Sequence, residues 1–265
     1  METIKDWKGN PIQACRSKGK SRTLALVDPL KNLLQGDVSV WPPPEITQKL
    51  YKSGHLRDFP EDDHSALQSC LGFYCDLQSI RSEDAITWSC FGPIAHASTT
   101  IRSAFVTALF NKLQLPQQKV ATPEIWLWRR TIHPEKMNMG GPEIDFGIMT
   151  PDTVLLGEAK WKSSEAKRQG INKDRGQMEL RLQLFDKYWQ IFGEKKHFVV
   201  VALSLTGGLV TPETRETGGR LIATRDITWD DVASIAENPF QEDFRRYLDW
   251  KKKQSKGIVK NGTDE

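Results

Sequence analysis

Residues 142–162 constrain the fold of this chain most, because they contain two short apolar runs separated by a turn sequence. The runs at residues 143–149 and 153–161 are bounded by Gly and Pro, as strands often are. A Thr-Pro-Asp tripeptide lies between them. The sequence therefore predicts a β-hairpin that turns at Pro151-Asp152.

The register of this hairpin decides which side chains meet. If the strands pair symmetrically about the turn, Asp145 lies opposite Glu158 and Glu143 lies opposite Lys160. Side chains alternate between the two faces of a strand, so these polar groups share one face. The other face pairs large residues with small ones: Ile144 with Ala159, Phe146 with Gly157, and Ile148 with Leu155.

The two opposed carboxylates carry a chemical implication. Directly opposed Cβ atoms are about 5 Å apart, so Asp145 and Glu158 repel each other unless a cation lies between them. A hard divalent ion, which prefers oxygen ligands, is the natural cation. The alternative is an ordinary surface strand whose charged side chains form solvated cross-strand pairs.

Asp145, followed after twelve residues by Glu158-Ala159-Lys160, resembles the motif of the PD-(D/E)XK nuclease superfamily, which has the restriction-endonuclease-like fold. The resemblance implies that Asp145, Glu158 and the Ala159 carbonyl hold Mg²⁺, for which Mn²⁺ can substitute. It also implies that Lys160 acts beside the attacking water in phosphodiester hydrolysis. Whether Lys160 orients the water, deprotonates it or stabilises charge on the phosphate stays open. Pro142-Glu143-Ile144-Asp145 is not a strict Pro-Asp pair, because Ile144 precedes Asp145, and the role of Glu143 stays open too.

The helices on either side of the hairpin supply further candidates. A helix predicted from Ser82 to Gly92-Pro93 begins with Glu83, and the resemblance implies that such a Glu reaches the metal. An acidic residue in the first turn of a helix is equally expected for electrostatic reasons.

A long amphipathic helix is predicted over residues 172–192, with an apolar stripe that includes Leu180 and Leu184. Lys173, Gln177 and Arg181 form a polar stripe at four-residue spacing. The resemblance implies a catalytic role for Gln177. Lys162, Lys173 and Arg181 are the candidates for phosphate contacts with nucleic acid. The alternative for the stripe is a solvated helix face.

The order of elements favours an α/β fold of the α+β type with a mixed sheet. Strands are predicted at residues 123–133, where Trp126 and Trp128 would share a face, and at 197–205, an apolar run typical of a strand buried on both sides. The order matches a restriction-endonuclease-like α-β-β-β-α-β core flanked by helices. We therefore expect an irregular N-terminal extension, a nuclease-like domain and a disordered tail, at residues 1–80, 81–253 and 254–265.

Composition narrows the class of protein. The chain has 265 residues, of which 38% are hydrophobic and 27% charged, and no apolar run predicts a signal or a membrane span. The four cysteines lack a CxxC spacing, so we expect reduced thiols in a cytoplasmic protein without a structural zinc. A net charge of +3 is compatible with nucleic-acid binding without requiring it.

These observations predict a metal-dependent endonuclease, most directly of duplex DNA, that acts in restriction or antiviral defence. Two cuts in a duplex require two sites, so we expect a homodimer. Partner proteins would bind through residues 1–80. The alternative is a non-catalytic nucleic-acid-binding or protein-interaction module that retains the nuclease fold, because fold alone does not establish activity.

Overall fold

The computed structural model describes residues 1–16, 23–51, 75–116, 120–134, 139–161 and 176–255. The described strands, in chain order, are β1 (Glu2–Lys5), β2 (Pro11–Arg16), β3 (Leu24–Leu26), β4 (Glu124–Ile132), β5 (Met139–Met149), β6 (Thr153–Ala159), β7 (His197–Ser204), β8 (Glu213–Thr217) and β9 (Arg220–Thr228). The described helices are α1 (Pro44–Tyr51), α2 (Glu83–Ala95), α3 (Thr99–Lys112), α4 (Gln177–Tyr188), α5 (Trp229–Ala233) and α6 (Gln241–Ser255).

The chain forms two compact units. Unit 1 comprises Met1–Leu34, Ser39–Ile86 and Asp243–Glu265, and unit 2 comprises Gln35–Val38 and Thr87–Glu242. The nuclease-like domain predicted at residues 81–253 includes α6, whereas in the structure this helix belongs to unit 1 from Asp243 onwards.

Unit 1 contains an antiparallel sheet in the order β1-β2-β3. The expectation of an irregular N-terminal extension is therefore wrong for these residues. The strands are short, but β2 alternates at its start, where Ile12 and Ala14 are buried and Pro11 and Gln13 are exposed. Such alternation is the pattern of a half-buried strand.

Hydrogen bonds join α6 to the N-terminal segment of unit 1. The Trp250 indole N–H donates to the Lys5 carbonyl at 2.8 Å, and the Tyr247 hydroxyl donates to the Asn32 carbonyl at 2.9 Å. The Trp7 ring packs edge-on against Tyr247 with centroids 5.1 Å apart. Buried aromatic residues with satisfied polar tips stabilise such a contact.

Unit 2 is built on a six-stranded mixed sheet in the order β4-β5-β6-β7-β9-β8. β7 pairs in parallel with both β6 and β9, while the other neighbours are antiparallel. β7 is buried on both faces apart from His197, as its continuous apolar sequence predicts. The coarse prediction of a mixed sheet with flanking helices is confirmed.

Helices cover both faces of this sheet. On one face, Phe91 of α2 stacks on Phe146 with ring centroids 4.2 Å apart. On the other face, Leu156 lies in an apolar cluster with Leu184 and Phe185 of α4. The apolar stripe predicted for this helix is therefore confirmed, and α4 ends at Tyr188 in a 3₁₀ turn, Trp189–Phe192.

Two local predictions are wrong. Gly92-Pro93 does not end α2, which continues to Ala95. Gly92 instead makes room for the Trp88 indole, since a Cβ on Gly92 would lie 2.5 Å from that ring. A proline this close to the end of a helix removes few hydrogen bonds.

The second wrong prediction concerns the tryptophans of β4. Trp128 has a φ of 53°, in the left-handed region, so alternation along the strand is interrupted there. Trp128 stacks with Trp88 of α2, whereas Trp126 joins the apolar cluster that contains Phe185 of α4. The two indoles therefore do not share a face.

Candidate functional site

The hairpin formed by β5 and β6 has the predicted register. Phe146 pairs with Gly157 and Ile148 pairs with Leu155. A Cβ on Gly157 would lie 2.1 Å from the Phe146 ring, so the large side chain occupies the space that the glycine leaves. Extended by one residue, this register brings Asp145 beside Glu158.

Asp145 is held by the backbone of the neighbouring strand. Its Oδ2 accepts a hydrogen bond from the Ala159 N–H at 2.7 Å. The pKa of the Asp145 carboxyl is raised well above its ordinary value, first because the group is removed from water and second because Glu158 is a like charge nearby. Arg181, the Ala159 N–H and Lys160 oppose this rise.

Glu158 is 2% exposed, and protein cations contact both of its carboxylate oxygens. The Lys160 ammonium lies 2.5 Å from Oε1. The Arg181 guanidinium contacts Oε2 through Nη2. A buried carboxylate requires such compensation, because taking a charge out of water is strongly unfavourable.

The position of Arg181 corrects the sequence analysis. Arg181 was expected on a polar stripe that faces solvent or a phosphate, but its side chain is 0% exposed. It lies one turn after Gln177, the first residue of α4, and its Nη2 also donates to the Glu143 carbonyl at 3.2 Å. The buried Glu158 carboxylate explains why a charged residue lies on this inner face of α4.

The Lys160 backbone is fixed by two hydrogen bonds. Its N–H donates to the Leu203 carbonyl of β7 at 2.8 Å, and its carbonyl accepts from the indole N–H of the fully buried Trp229 at 2.9 Å. Sequence reasoning missed this contact. Trp229 is the first residue of α5, whose start is fixed by a capping box between Thr228 and Asp231.

Gln177 and Glu83 belong to different units of the chain. Gln177 precedes Arg181 by one turn of α4, and its side-chain oxygen is buried without a hydrogen-bond partner among the described residues. Glu83 belongs to unit 1, where its charge opposes the lowering of the Lys251 pKa. The roles predicted for Gln177 and Glu83 stay predictions, and Lys162 and Lys173 lie outside the described residues.

β4 brings basic side chains to the same end of the sheet, and sequence reasoning did not select them. Arg130 pairs with Glu143 in the ladder, and its side chain is 56% exposed. Arg129 is 58% exposed and forms an ion pair with Glu124 at 2.6 Å. The sequence signal that could have identified them is that two arginines, Arg129 and Arg130, are adjacent in a strand next to the motif.

The donor set at the hairpin fits a hard divalent cation. The carboxylates of Asp145 and Glu158, with the Ala159 carbonyl, are oxygen ligands of the kind that Mg²⁺ prefers. Burial and, second, the like charge of Glu158 raise the pKa of Asp145, and a bound cation would oppose both effects. Within the described ranges, no group of three or more His, Cys, Asp or Glu side chains is arranged to hold a metal.

No family model matches the chain, and no curated protein is significantly similar to it. Among the helices of the described residues, none has both the length and the apolar character needed to cross a membrane.

Proposed function

We propose that this chain is a metal-dependent nuclease of the PD-(D/E)XK type, which hydrolyses phosphodiester bonds of DNA. The observation that carries the proposal is the assembly of Asp145, Glu158 and Lys160 at one end of the β5–β6 hairpin. The acidic pair and the ammonium lie in a mixed sheet between helices, and this arrangement is consistent with the restriction-endonuclease-like core.

Asp145, Glu158 and the Ala159 carbonyl would hold the cation. A bound Mg²⁺ supplies positive charge for the phosphate oxygens and lowers the pKa of a coordinated water. Asp145 is positioned for this role by the Ala159 N–H, which donates to its Oδ2 at 2.7 Å.

Lys160 provides the second source of positive charge. Its Nζ donates protons in hydrogen bonds and is suited to stabilise negative charge that develops on a phosphate oxygen. The Lys160 backbone is held by its hydrogen bond to Leu203 and by the one that Trp229 donates to it, so the side chain extends from a fixed point of the backbone. Arg129 and Arg130, more than half exposed on β4, are candidates for contacts with the nucleic-acid backbone.

The proposal is tested by incubating the protein with plasmid, linear duplex DNA, single-stranded DNA and RNA. Each substrate is assayed with Mg²⁺, with Mn²⁺ and with EDTA. We expect metal-dependent products from DNA, and a rate at least about 100-fold lower for Lys160→Met, because general acid–base and electrostatic groups contribute about that much. Lys196→Met, which changes an exposed lysine of unit 2, is the matched control and should cleave like the wild type.

The absence of metal-dependent products from all four substrates would refute the nuclease proposal, as would equal rates for the wild type and Lys160→Met. The same preparation gives the oligomeric state by light scattering. A mass of one subunit with DNA and metal present would contradict the expected homodimer.

A second candidate function is a non-catalytic nucleic-acid-binding module. The observation that favours it is the contact of both Glu158 oxygens with protein cations, which leaves the acidic pair partly neutralised without a metal. Anisotropy titration of labelled duplex DNA in EDTA distinguishes the two functions. Tight binding in EDTA together with no cleavage in Mn²⁺ would favour the module.

A further inference from the structure

Arg181 is a buried cation for which the proposed nuclease chemistry gives no reason. Its guanidinium contacts Glu158 Oε2 and donates to the Glu143 carbonyl at 3.2 Å, both through Nη2. Its Nε and Nη1 are buried and have no hydrogen-bond partner among the described residues. Two unsatisfied donors are unfavourable in a protein interior.

The burial of Arg181 is explained better by its attraction to the charged Glu158 than by the hydrogen bonds that Arg181 forms. A guanidinium usually meets a carboxylate with two parallel N–H groups. Here Nη2 contacts both Glu158 and Glu143, while Nε and Nη1 have no hydrogen-bond partner in the part of the chain that the structure describes. The favourable contribution of Arg181 is therefore to neutralise the Glu158 carboxylate, which is 2% exposed and lies beside Asp145.

We propose that Arg181 is an internal counter-ion for Glu158, which holds the Asp145–Glu158 pair together without metal and weakens the affinity of that pair for divalent cations. This inference rests on the proposed metal-dependent function. It makes Arg181 a positioning residue, because it acts through Glu158.

Arg181 is expected to raise the stability of the metal-free protein and to lower its affinity for a divalent cation. Without metal, the guanidinium compensates Glu158, so its removal destabilises the protein. With metal, the guanidinium repels a second cation at the same carboxylate, and the repulsion is strong in a region of low dielectric constant. A residue with a merely structural role would lower stability without strengthening metal binding.

The experiment measures Mn²⁺ binding to the full-length protein by isothermal titration calorimetry, and thermal unfolding in EDTA. We expect Arg181→Met to bind Mn²⁺ at least about tenfold more tightly than the wild type, which corresponds to about 1.4 kcal/mol. Its unfolding midpoint in EDTA should be lower.

Two control variants accompany it. Arg181→Lys retains the charge and should bind Mn²⁺ within about threefold of the wild type, a difference under 1 kcal/mol. Arg215→Met removes another Arg–carboxylate pair of α4, the one between Arg215 and Asp186, at an exposed position. It should leave Mn²⁺ affinity unchanged. If Arg181→Met does not fold, Arg181→Gln is judged by the same criterion.

The outcomes separate this inference from the proposed function. A wild type that cleaves DNA, with an Arg181→Met variant that binds Mn²⁺ no more tightly, overturns the counter-ion alone. A wild type that binds no Mn²⁺, with an Arg181→Met variant that does, supports the counter-ion and overturns the nuclease proposal. Absence of binding in both proteins overturns both.

Discussion

The substitution Glu158→Gln tests the buried charge cluster most directly. It keeps the size of the side chain and removes its charge. Arg181, at 0% exposure, and Lys160, at 8%, would then lie side by side without the carboxylate that compensates both. We expect a large loss of stability in addition to the loss of metal-dependent cleavage.

The size of this loss of stability can be worked out from the close contacts between the charges. A unit charge pair about 4 Å apart contributes about 4 kcal/mol at an effective dielectric constant near 20. Removing one partner of a buried pair typically destabilises a protein by about 3–5 kcal/mol. Since a change of 1 kcal/mol shifts the midpoint of a protein of this size by about 2–4 °C, we expect a decrease of about 6–20 °C.

The assay is thermal and urea-induced unfolding in EDTA, followed by tryptophan fluorescence, for Glu158→Gln, Arg181→Met and the double variant. The double variant should be more stable than the sum of the single effects predicts, with a coupling energy of at least about 2 kcal/mol. Asp186→Asn, which breaks the exposed pair with Arg215, is the matched control and should change stability by less than about 1 kcal/mol.

Two results would refute this reasoning. One is an unfolding midpoint for Glu158→Gln within about 3 °C of the wild type, which corresponds to about 1 kcal/mol. The other is a coupling energy near zero, because it would mean that Glu158 and Arg181 do not interact in solution. The predicted instability also sets the conditions for activity assays, since cleavage by Glu158→Gln must be measured well below its own midpoint.

Three further predictions concern packing, pH and positioning. Gly157→Ala should destabilise unit 2 by about 1–3 kcal/mol, because its Cβ would lie 2.1 Å from the Phe146 ring, and unfolding in urea measures this. Burial lowers the pKa of Lys251 to about 7. Between about pH 7 and pH 10, Lys251 is therefore protonated in the unfolded chain and neutral in the folded one, so the free energy of unfolding should rise with pH. The variant Lys251→Met should not show this rise. Trp229→Phe should lower the cleavage rate about tenfold by releasing the Lys160 carbonyl, with little change in KM, as steady-state kinetics would show. A flat stability profile in the wild type, or an unchanged rate in Trp229→Phe, would contradict the second and third predictions.

The hairpin register could be predicted because the information is local. Phe146 and Gly157 are close in sequence, and the turn between them fixes which residues pair. The capping box of Thr228 and Asp231 is also encoded locally, because a short sequence pattern specifies the start of α5. Elements whose determinants lie within one turn or one hairpin were therefore accessible from the sequence.

The environment of Arg181 could not be predicted in the same way. Its neighbours at four-residue spacing, Lys173 and Gln177, make the stripe polar, and a polar stripe usually faces solvent. What overrides this rule is Glu158, a buried charge on another element that only the folded chain brings to α4. Trp128 shows a similar limit, since its left-handed backbone interrupts an alternation that the sequence of β4 favours.

The two carboxylates of the candidate site are compensated by different means, and this difference has a chemical consequence. Glu158 is held by an ammonium and a guanidinium, whereas burial and the neighbouring Glu158 raise the pKa of Asp145. As the pH falls, Asp145 therefore takes up its proton at a higher pH than an ordinary aspartate does. A divalent cation must then compete with a proton at Asp145 and with Arg181 at Glu158. Because carboxylate ligands bind metals in the deprotonated form, the affinity for Mn²⁺ should increase with pH, and Arg181→Met should raise it at every pH without removing that dependence.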